Sequence, residues 1–309
     1  MIRSKRAHLH VIALSHPGMK GKNNEDRYAV SSYNLSPQDP TPALFAIVSD
    51  GIGGHRAGEV AAEMAVNYIC QVVAESDGMH PLQVMKRAVH TASEAIAAQA
   101  ASAAGLEGMG ATCACVWVIG NKLYTAAVGD SRIYLLCAGG IHQLTTDHTW
   151  IQEAKDKGIL TADEARKHPN VHVIRRYLGS SQPPRADFRL RLHEGESDAH
   201  AHANQGMPLQ PGDILLICTD GLTDLVWKDE ILTAIRSKRD LKSAAQTLID
   251  LANERGGHDN STVILLSMPG GERKEEAHRN LFSWLRGGIT GFILLIVGPA
   301  ALAWLQRGL

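Results

Sequence analysis

Residues 44–55 read Leu44-Phe45-Ala46-Ile47-Val48-Ser49-Asp50-Gly51-Ile52-Gly53-Gly54-His55, and this stretch decides the fold. Leu44 to Val48 is apolar at every position, β-rich and short, as a strand buried on both faces must be. Asp50 stands at its end. Gly51, Gly53 and Gly54 then let the backbone turn sharply and approach a ligand, because no Cβ intervenes. Arg56 to Cys70 predicts a helix, with Val60, Met64 and Ala65 spaced for one buried face. The chain therefore presents a carboxylate and a bare carbonyl at the mouth of a rigid strand. That geometry suits a hard cation, which takes oxygen ligands. Asp-Gly alone also marks ordinary turns, so the remainder of the chain has to decide.

The totals narrow the classes. With 309 residues the chain can bury a full core. Lys plus Arg number 31 and Asp plus Glu 32, so no global charge points to nucleic acid or an acidic partner. The cysteines, Cys70, Cys113, Cys115, Cys137 and Cys218, form no CxxC pair and sit mostly in apolar strand-like runs. They read as small buried hydrophobes of a reducing compartment. Met1 to Ala7 carries basic residues but no apolar region of signal-peptide length.

In order along the chain, His8 to Ser15 predicts a strand. Gly18 to Asn24 predicts a turn, and Glu25-Asp26 opens a second strand, Tyr28 to Ser32. Neighbours on a strand face opposite ways, so one of these two acids faces a shared site directly. Pro81 to Ala104 is alanine-rich and helical. Ala111–Ile119 and Lys122–Val128 predict a hairpin turned at Gly120-Asn121. Gly129-Asp130-Ser131-Arg132 follows, with Ile133 to Cys137 continuing the same strand. Thr161 to Glu164 has the form of a capping box. His193 to Asn204 holds three histidines and three acids, and reads as a solvated loop rather than a transition-metal site. Asp213 to Asp224 repeats the opening pattern of buried strand and Asp-Gly at Asp220-Gly221. Helices near Lys228–Ile235 and Leu241–Glu254 come next, and Asp259-Asn260 precedes a last strand, Thr262 to Ser267.

Asp50, Asp130, Asp220 and Asp259 share one grammar, each at the end or start of a buried strand beside glycine or a turn. Loops at one sheet edge can gather such side chains. Carboxylates so gathered cannot all stay ionised without a cation, and oxygen-only ligands select magnesium or manganese over zinc.

Residues 269–285 form a charged linker. Gly287 to Leu305, nineteen residues without a charge, is bracketed by Arg286 and Arg307, with Trp284 and Trp304 near the ends. Its length matches the roughly 30 Å hydrocarbon core of a bilayer, and a transmembrane helix is expected over 286–306. Arg273, Lys274, Arg279 and Arg286 precede it, so the N-terminal side is expected to be cytoplasmic.

The ordered motifs Asn24-Glu25-Asp26, Asp50-Gly51-Ile52-Gly53-Gly54-His55, Gly110-Ala111-Thr112, Val128 to Arg132, Leu144 to His148, Thr219 to Asp224 and Asp259-Asn260 carry a resemblance. The chain is similar to bacterial members of the metal-dependent protein phosphatase family, the type 2C Ser/Thr phosphatases, over roughly residues 8 to 268. The resemblance implies an α+β fold over 1–268, a four-layer α-β-β-α sandwich of two antiparallel sheets flanked by helices. It implies two Mn²⁺ or Mg²⁺ ions. Asp50 would bridge them, and Asp220 and Asp259 would hold one. The Gly51 carbonyl would hold the other, reached by Glu25 or Asp26. Asp130 would help Asp220 bind a third, weaker ion. Thr149 to Arg191 resembles the flap beside the active site.

Two departures from the family pattern stand out. Gly21 occupies the place of a phosphate-gripping arginine, so Lys20 and Lys22 are the candidate phosphate-binding residues, with charge but no planar fork. Ile52 occupies the place of a histidine general acid found in some relatives, and His55 does not match its spacing. The expected partners are phosphoserine and phosphothreonine proteins made by a cytoplasmic kinase, and the membrane, with the protein a monomer. The competing reading is a catalytically weak phosphoprotein-binding scaffold.

Overall fold

A computed structural model of the protein describes residues 1–21, 23–53, 56–102, 104–166 and 168–270; residues 22, 54, 55, 103, 167 and 271–309 lie outside the described residues. The chain opens with β1 (Ile2–Arg3), β2 (His10–His16), β3 (Arg27–Asn34), β4 (Pro42–Ser49) and the short β5 (Gly51–Ile52). Helices α1 (Arg56–Ala74) and α2 (Pro81–Ser102) follow. Then come β6 (Gly110–Ala111), β7 (Cys113–Ile119), β8 (Lys122–Val128), β9 (Arg132–Cys137) and β10 (Gly140–Gln143). The flap carries α3 (Trp150–Asp156) and α4 (Ala162–Arg166). The last part holds α5 (Asp198–Ala203), β11 (Met207–Pro208), β12 (Ile214–Cys218), α6 (Asp220–Thr223), α7 (Lys228–Arg236), α8 (Leu241–Glu254) and β13 (Ser261–Ser267).

The strands form two large sheets, β1-β3-β4-β7-β8-β11 and β10-β9-β12-β13-β2, with β5 and β6 as a separate short ladder. Their pairings are antiparallel. Alternation along each strand builds three cores. Leu44, Ala46 and Val48 of β4 meet Ile133, Leu135, Leu215 and Ile217 between the sheets. Phe45 and Ile47 point the other way, onto Ala61, Ala65, Ile69 and Met85 of the first helix pair. Tyr134, Leu216 and Leu265 face outward on the second sheet, against Ile231, Leu248 and Ile249 of α7 and α8. That is the four-layer sandwich, and it explains why β4 is apolar at consecutive positions. Each fully buried side chain of this kind contributes roughly 1.5–3 kcal/mol. A one-residue slip would swap two cores, so the register is strongly held. Trp117 of β7 meets Phe45 edge-on, with ring centroids 6.0 Å apart. All five cysteines are free thiols, and Cys113, Cys115 and Cys218 are buried.

Three expectations change. Residues 133–137 do not continue β8. The chain turns at Gly129 (φ +101°) and enters the other sheet as β9, beside β12. Strand propensity is the same on both sides of the turn, so only pairing reveals the crossing. The second change is in the histidine-rich segment, which is helical at α5. Ser197 Oγ accepts from His200 N–H, Ala201 is buried, and Arg191 and Arg189 hold Asp198. None of His193, His200 and His202 joins a group of three ligating side chains among the described residues. Third, Glu25 and Asp26 precede β3, so strand alternation does not govern them. The Thr161 capping box forms as expected: Thr161 N–H donates to Glu164 Oε2 (2.9 Å), and Glu164 N–H to Thr161 Oγ1 (3.3 Å). Among the described residues no helix is long and apolar enough to cross a membrane. The expected span over 286–306, and the linker from residue 271, lie outside the described residues.

Candidate active site

The sheets bring their Asp-Gly ends to one edge. Asp50 leaves β4, and the backbone around it is clamped by Thr112. Asp50 N–H donates to Thr112 Oγ1 (2.9 Å), and Thr112 N–H donates back to Asp50 O (2.9 Å). Ser49 Oγ donates to Thr112 O (2.7 Å), and Thr112 Oγ1 lies 2.7 Å from Ser131 Oγ. One threonine thus ties the end of β4 to the turn that carries Asp130. Asp220 opens α6. A Cβ on Gly221 would fall 1.9 Å from Asn260 O, so only glycine lets this turn press against residues 259–260. Asp259 arrives beside Asp220 in that way.

Asn260 organises the approach from the other side. Its Nδ2 donates to Pro17 O (3.0 Å) and Asn23 O (3.1 Å), and its Oδ1 accepts from Glu25 N–H (2.7 Å). This staples the loop before β3 to the start of β13. Asp26 then sits buried beneath the cluster, its Oδ2 accepting from Thr262 Oγ1 (2.7 Å) and Thr219 Oγ1 (2.8 Å). Glu25 goes elsewhere. A Cβ built on Gly58 would lie 2.2 Å from Glu25 Oε2 and 2.8 Å from Gly51 O. Glu25 and the Gly51 carbonyl therefore flank the same glycine of α1. Both acids reach the centre from different sides, where strand alternation predicted that one would.

The electrostatics confirm the crowding. The carboxyls of Asp50 and Asp220 hydrogen-bond each other. Burial first, then the charges of Asp220 and Asp26, push Asp50 well above the usual carboxylate range. Burial and the charge of Asp220 do the same to Asp130. Burial raises Asp220, and the Asp259 charge adds to it, against lowering by the Asp50 hydrogen bond. Asp26 is raised by burial to about 7 even though both threonines hydrogen-bond it. Asp26 Oδ1, Asp130 Oδ1 and Asp220 Oδ1 are buried and find no hydrogen-bond partner among the described residues.

Two residues with no role assigned from sequence join the rim. His172 of the flap places Nδ1 3.2 Å from Asp224 Oδ2, with Asp220 alongside. Burial raises Asp224 to about 7. The phosphate candidates are less informative: Lys20 is exposed, and Lys22 and His55 lie outside the described residues. Gly21 has φ +68°, with nothing within 4 Å of a Cβ built there. Space for a side chain exists, but the backbone there favours glycine.

The protein phosphatase 2C family model matches residues 18–262. The chain belongs to the protein phosphatase 2C family. This phosphatase domain is 34% identical over 248 residues to the serine/threonine phosphatase stp of Listeria welshimeri, covering 79% of this chain and 90% of that one. The solved serine/threonine phosphatase of S. agalactiae matches it with a TM-score of 0.72 and 30% identity, over 84% of this chain and 99% of that one. The catalytic domain of the phosphatase PstP, solved in complex with 2 manganese ions, matches with a TM-score of 0.67 and 32% identity, over 84% and 97%.

Proposed function

We propose that the carboxylate centre holds two divalent cations, manganese or magnesium, and hydrolyses phosphoserine and phosphothreonine esters in proteins. The chain is a protein-serine/threonine phosphatase by family. The observation that carries the cation reading is the set of unpartnered buried carboxylate oxygens on Asp26, Asp130 and Asp220. A buried acceptor left unpaired costs about 1–3 kcal/mol, more for a charged group. Three of them weigh heavily on a domain whose net stability is about 5–15 kcal/mol. Cations relieve that cost, and an all-oxygen donor set suits magnesium or manganese. A phosphoprotein-binding scaffold has little need of so complete a set.

Asp50, Asp220, Asp259, Glu25 and the Gly51 carbonyl would hold the two ions. Asp130 would share a third, weaker ion with Asp220. When bound, such ions lower the pKa of a shared water and neutralise charge on the phosphoryl oxygens. The chain's own contribution is to hold its ligands ready. Thr112 fixes Asp50, Asn260 fixes the Glu25 backbone, and Thr219 with Thr262 fixes Asp26. Cysteine chemistry has no part in this reading, since burial pushes the Cys218 thiol up to about 12. The run at 286–306, with Arg286 and Arg307 about it and Trp284 and Trp304 near its ends, supports a single-pass anchor with the phosphatase domain on the cytoplasmic side.

The test uses the full chain in detergent with p-nitrophenyl phosphate and a phosphothreonine peptide, under manganese, magnesium or chelator. Turnover with metal, at least about a hundredfold above the chelated rate, is the expected result. A folded protein that binds manganese yet turns over neither substrate would leave the scaffold as the better reading. A finer check addresses Glu25. Alanine suits a helix better than glycine by about 1 kcal/mol, yet at Gly58 its Cβ would displace the Glu25 carboxylate. Gly58→Ala presses on both Glu25 Oε2 and the Gly51 carbonyl, so it should lower the melting temperature slightly and raise the half-saturating manganese concentration about tenfold. An unchanged metal requirement would remove both Glu25 and the Gly51 carbonyl from the site.

A further inference from the structure

A cleft of about 750 Å³ runs from the carboxylate centre outward between the flap and the turn joining α6 to α7. Asp224, His258 and Asp259 line its inner end. Its outer part differs in character. Ile151 and Val171 of the flap give it an apolar side, and Trp227, 49% exposed, stands on the α7 side. Lys155, Lys228 and Asp229 also line the cleft. Neither lysine enters an ion pair among the described residues. The deeper acids are already engaged: Arg132 binds Asp147 through Nε (3.0 Å) and Nη2 (2.6 Å), and His172 faces Asp224.

The flap wall is built rather than loose. Trp150 stacks on His168 with centroids 4.7 Å apart, and Trp150 N–H donates to Val173 O (2.9 Å). Arg175 N–H donates to His148 O (2.7 Å), which ties the flap's return to the sandwich. A small phosphate ester needs only the inner end. A protein substrate brings neighbouring residues, and this cleft, which Asp224 and Asp259 line, is a recess that can take them. An exposed indole is a strong anchor for apolar and aromatic groups, and ammonium groups with no carboxylate partner, Lys155 Nζ donating to Gln152 Oε1 (3.3 Å), favour one.

We propose that this cleft seats the residues flanking the phosphorylated side chain, with an apolar or aromatic residue against Trp227 and an acidic residue beside Lys155 and Lys228. The proposal rests on the phosphatase reading above and names its substrate class: phosphoproteins with apolar and acidic flanks.

The full chain is assayed with manganese on two phosphothreonine peptides, one with Phe and Glu flanks and one with Gly and Lys flanks. p-Nitrophenyl phosphate, too small to span the cleft, is the reference. Trp227→Ala should lower kcat/KM for the Phe-Glu peptide about tenfold, through KM, and leave reference turnover unchanged. Trp227→Phe should restore most of the loss. Lys155→Glu combined with Lys228→Glu should reverse the preference from Glu to Lys flanks. An unchanged ratio between the peptides in every variant, with normal reference turnover, overturns the proposal. If Trp227→Ala also loses reference turnover it has disturbed the centre, and the charge-reversed pair decides. If the wild type turns over nothing, the phosphatase reading fails separately. Fluorescence anisotropy of the labelled Phe-Glu peptide then decides: weaker binding to Trp227→Ala supports the cleft, and equal binding overturns it.

Discussion

Asp220→Asn should cost about a thousandfold in metal-dependent turnover and, in chelator, make the protein more stable. The two effects come from one position. Asp220 hydrogen-bonds Asp50, and its charge raises Asp50, Asp130, Asp26 and Asp224 alike. It is the hub of the like-charge cluster. Removing an electrostatic or metal-binding donor of this kind typically costs two to three orders of magnitude in rate or more. Without metal, the same carboxylate keeps its hydrogen bond to Asp50, which asparagine can also accept through Oδ1, but its charge repels the neighbouring acids. Asparagine keeps the size and relieves about 1–2 kcal/mol of that repulsion, which for a domain of this size raises the melting temperature by about 2–4 °C per kcal/mol. Paired assays of p-nitrophenyl phosphate turnover and thermal melting at pH 7.5 test this. A variant that is both active and less stable would contradict the convergence of these carboxylates on a cation.

The second large effect is the pH dependence of the chelated protein. Asp26 and Asp224 are raised to about 7, with burial the first cause, and Asp50 and Asp130 lie well above the usual range. In the unfolded chain an aspartate titrates near 3.9. Between about pH 4 and 7 the folded protein therefore binds more protons than the unfolded one, and its stability falls as pH rises through that window. Each group contributes up to roughly 1.4 kcal/mol per pH unit. The metal-free protein should melt at a higher temperature at pH 5 than at pH 7.5. Manganese, which takes the deprotonated carboxylates, should raise the melting temperature strongly at pH 7.5 and little at pH 5. Below pH 5 an opposite trend enters. Burial would raise Asp187, but His148 and Arg189 hold it well below the usual range, and Arg255 lowers Glu230 to about 2. The stability these groups supply is present above pH 4 to 5 and is lost as pH falls further. A chelated protein that melts at the same temperature at pH 5 and 7.5 would mean that the carboxylates do not share one buried site.

Much of this was legible residue by residue. Leu44 to Val48, Ala114 to Val118 and Leu215 to Cys218 are apolar without interruption, and only strands covered on both faces need that. Asp50, Asp130, Asp220 and Asp259 each announced themselves by a strand and a turn. Other features were silent. Asp26 is a candidate ligand from its motif, but its burial shows only when Thr219 and Thr262, about two hundred positions away, close on it. Gly58 reads as a helix-weakening glycine, and its use is seen only once Glu25 and the Gly51 carbonyl occupy the space beside it. His193 to Asn204 lost to a capping serine and a pair of arginines that the local pattern underweighted.

The sequence by itself determined most of the strands and helices, though not α5, and which carboxylates are the candidates for the chemistry and in what order they appear. Local periodicity and turn chemistry act between near neighbours, and neighbours are what a sequence displays. Tertiary structure alone decided that β9 crosses to the second sheet, that Glu25 and Asp26 come to one centre from different sides, and that the flap faces Trp227 across a cleft. Those facts depend on pairings between residues far apart in the chain, chosen by burial and hydrogen bonding in three dimensions, and no local pattern encodes them.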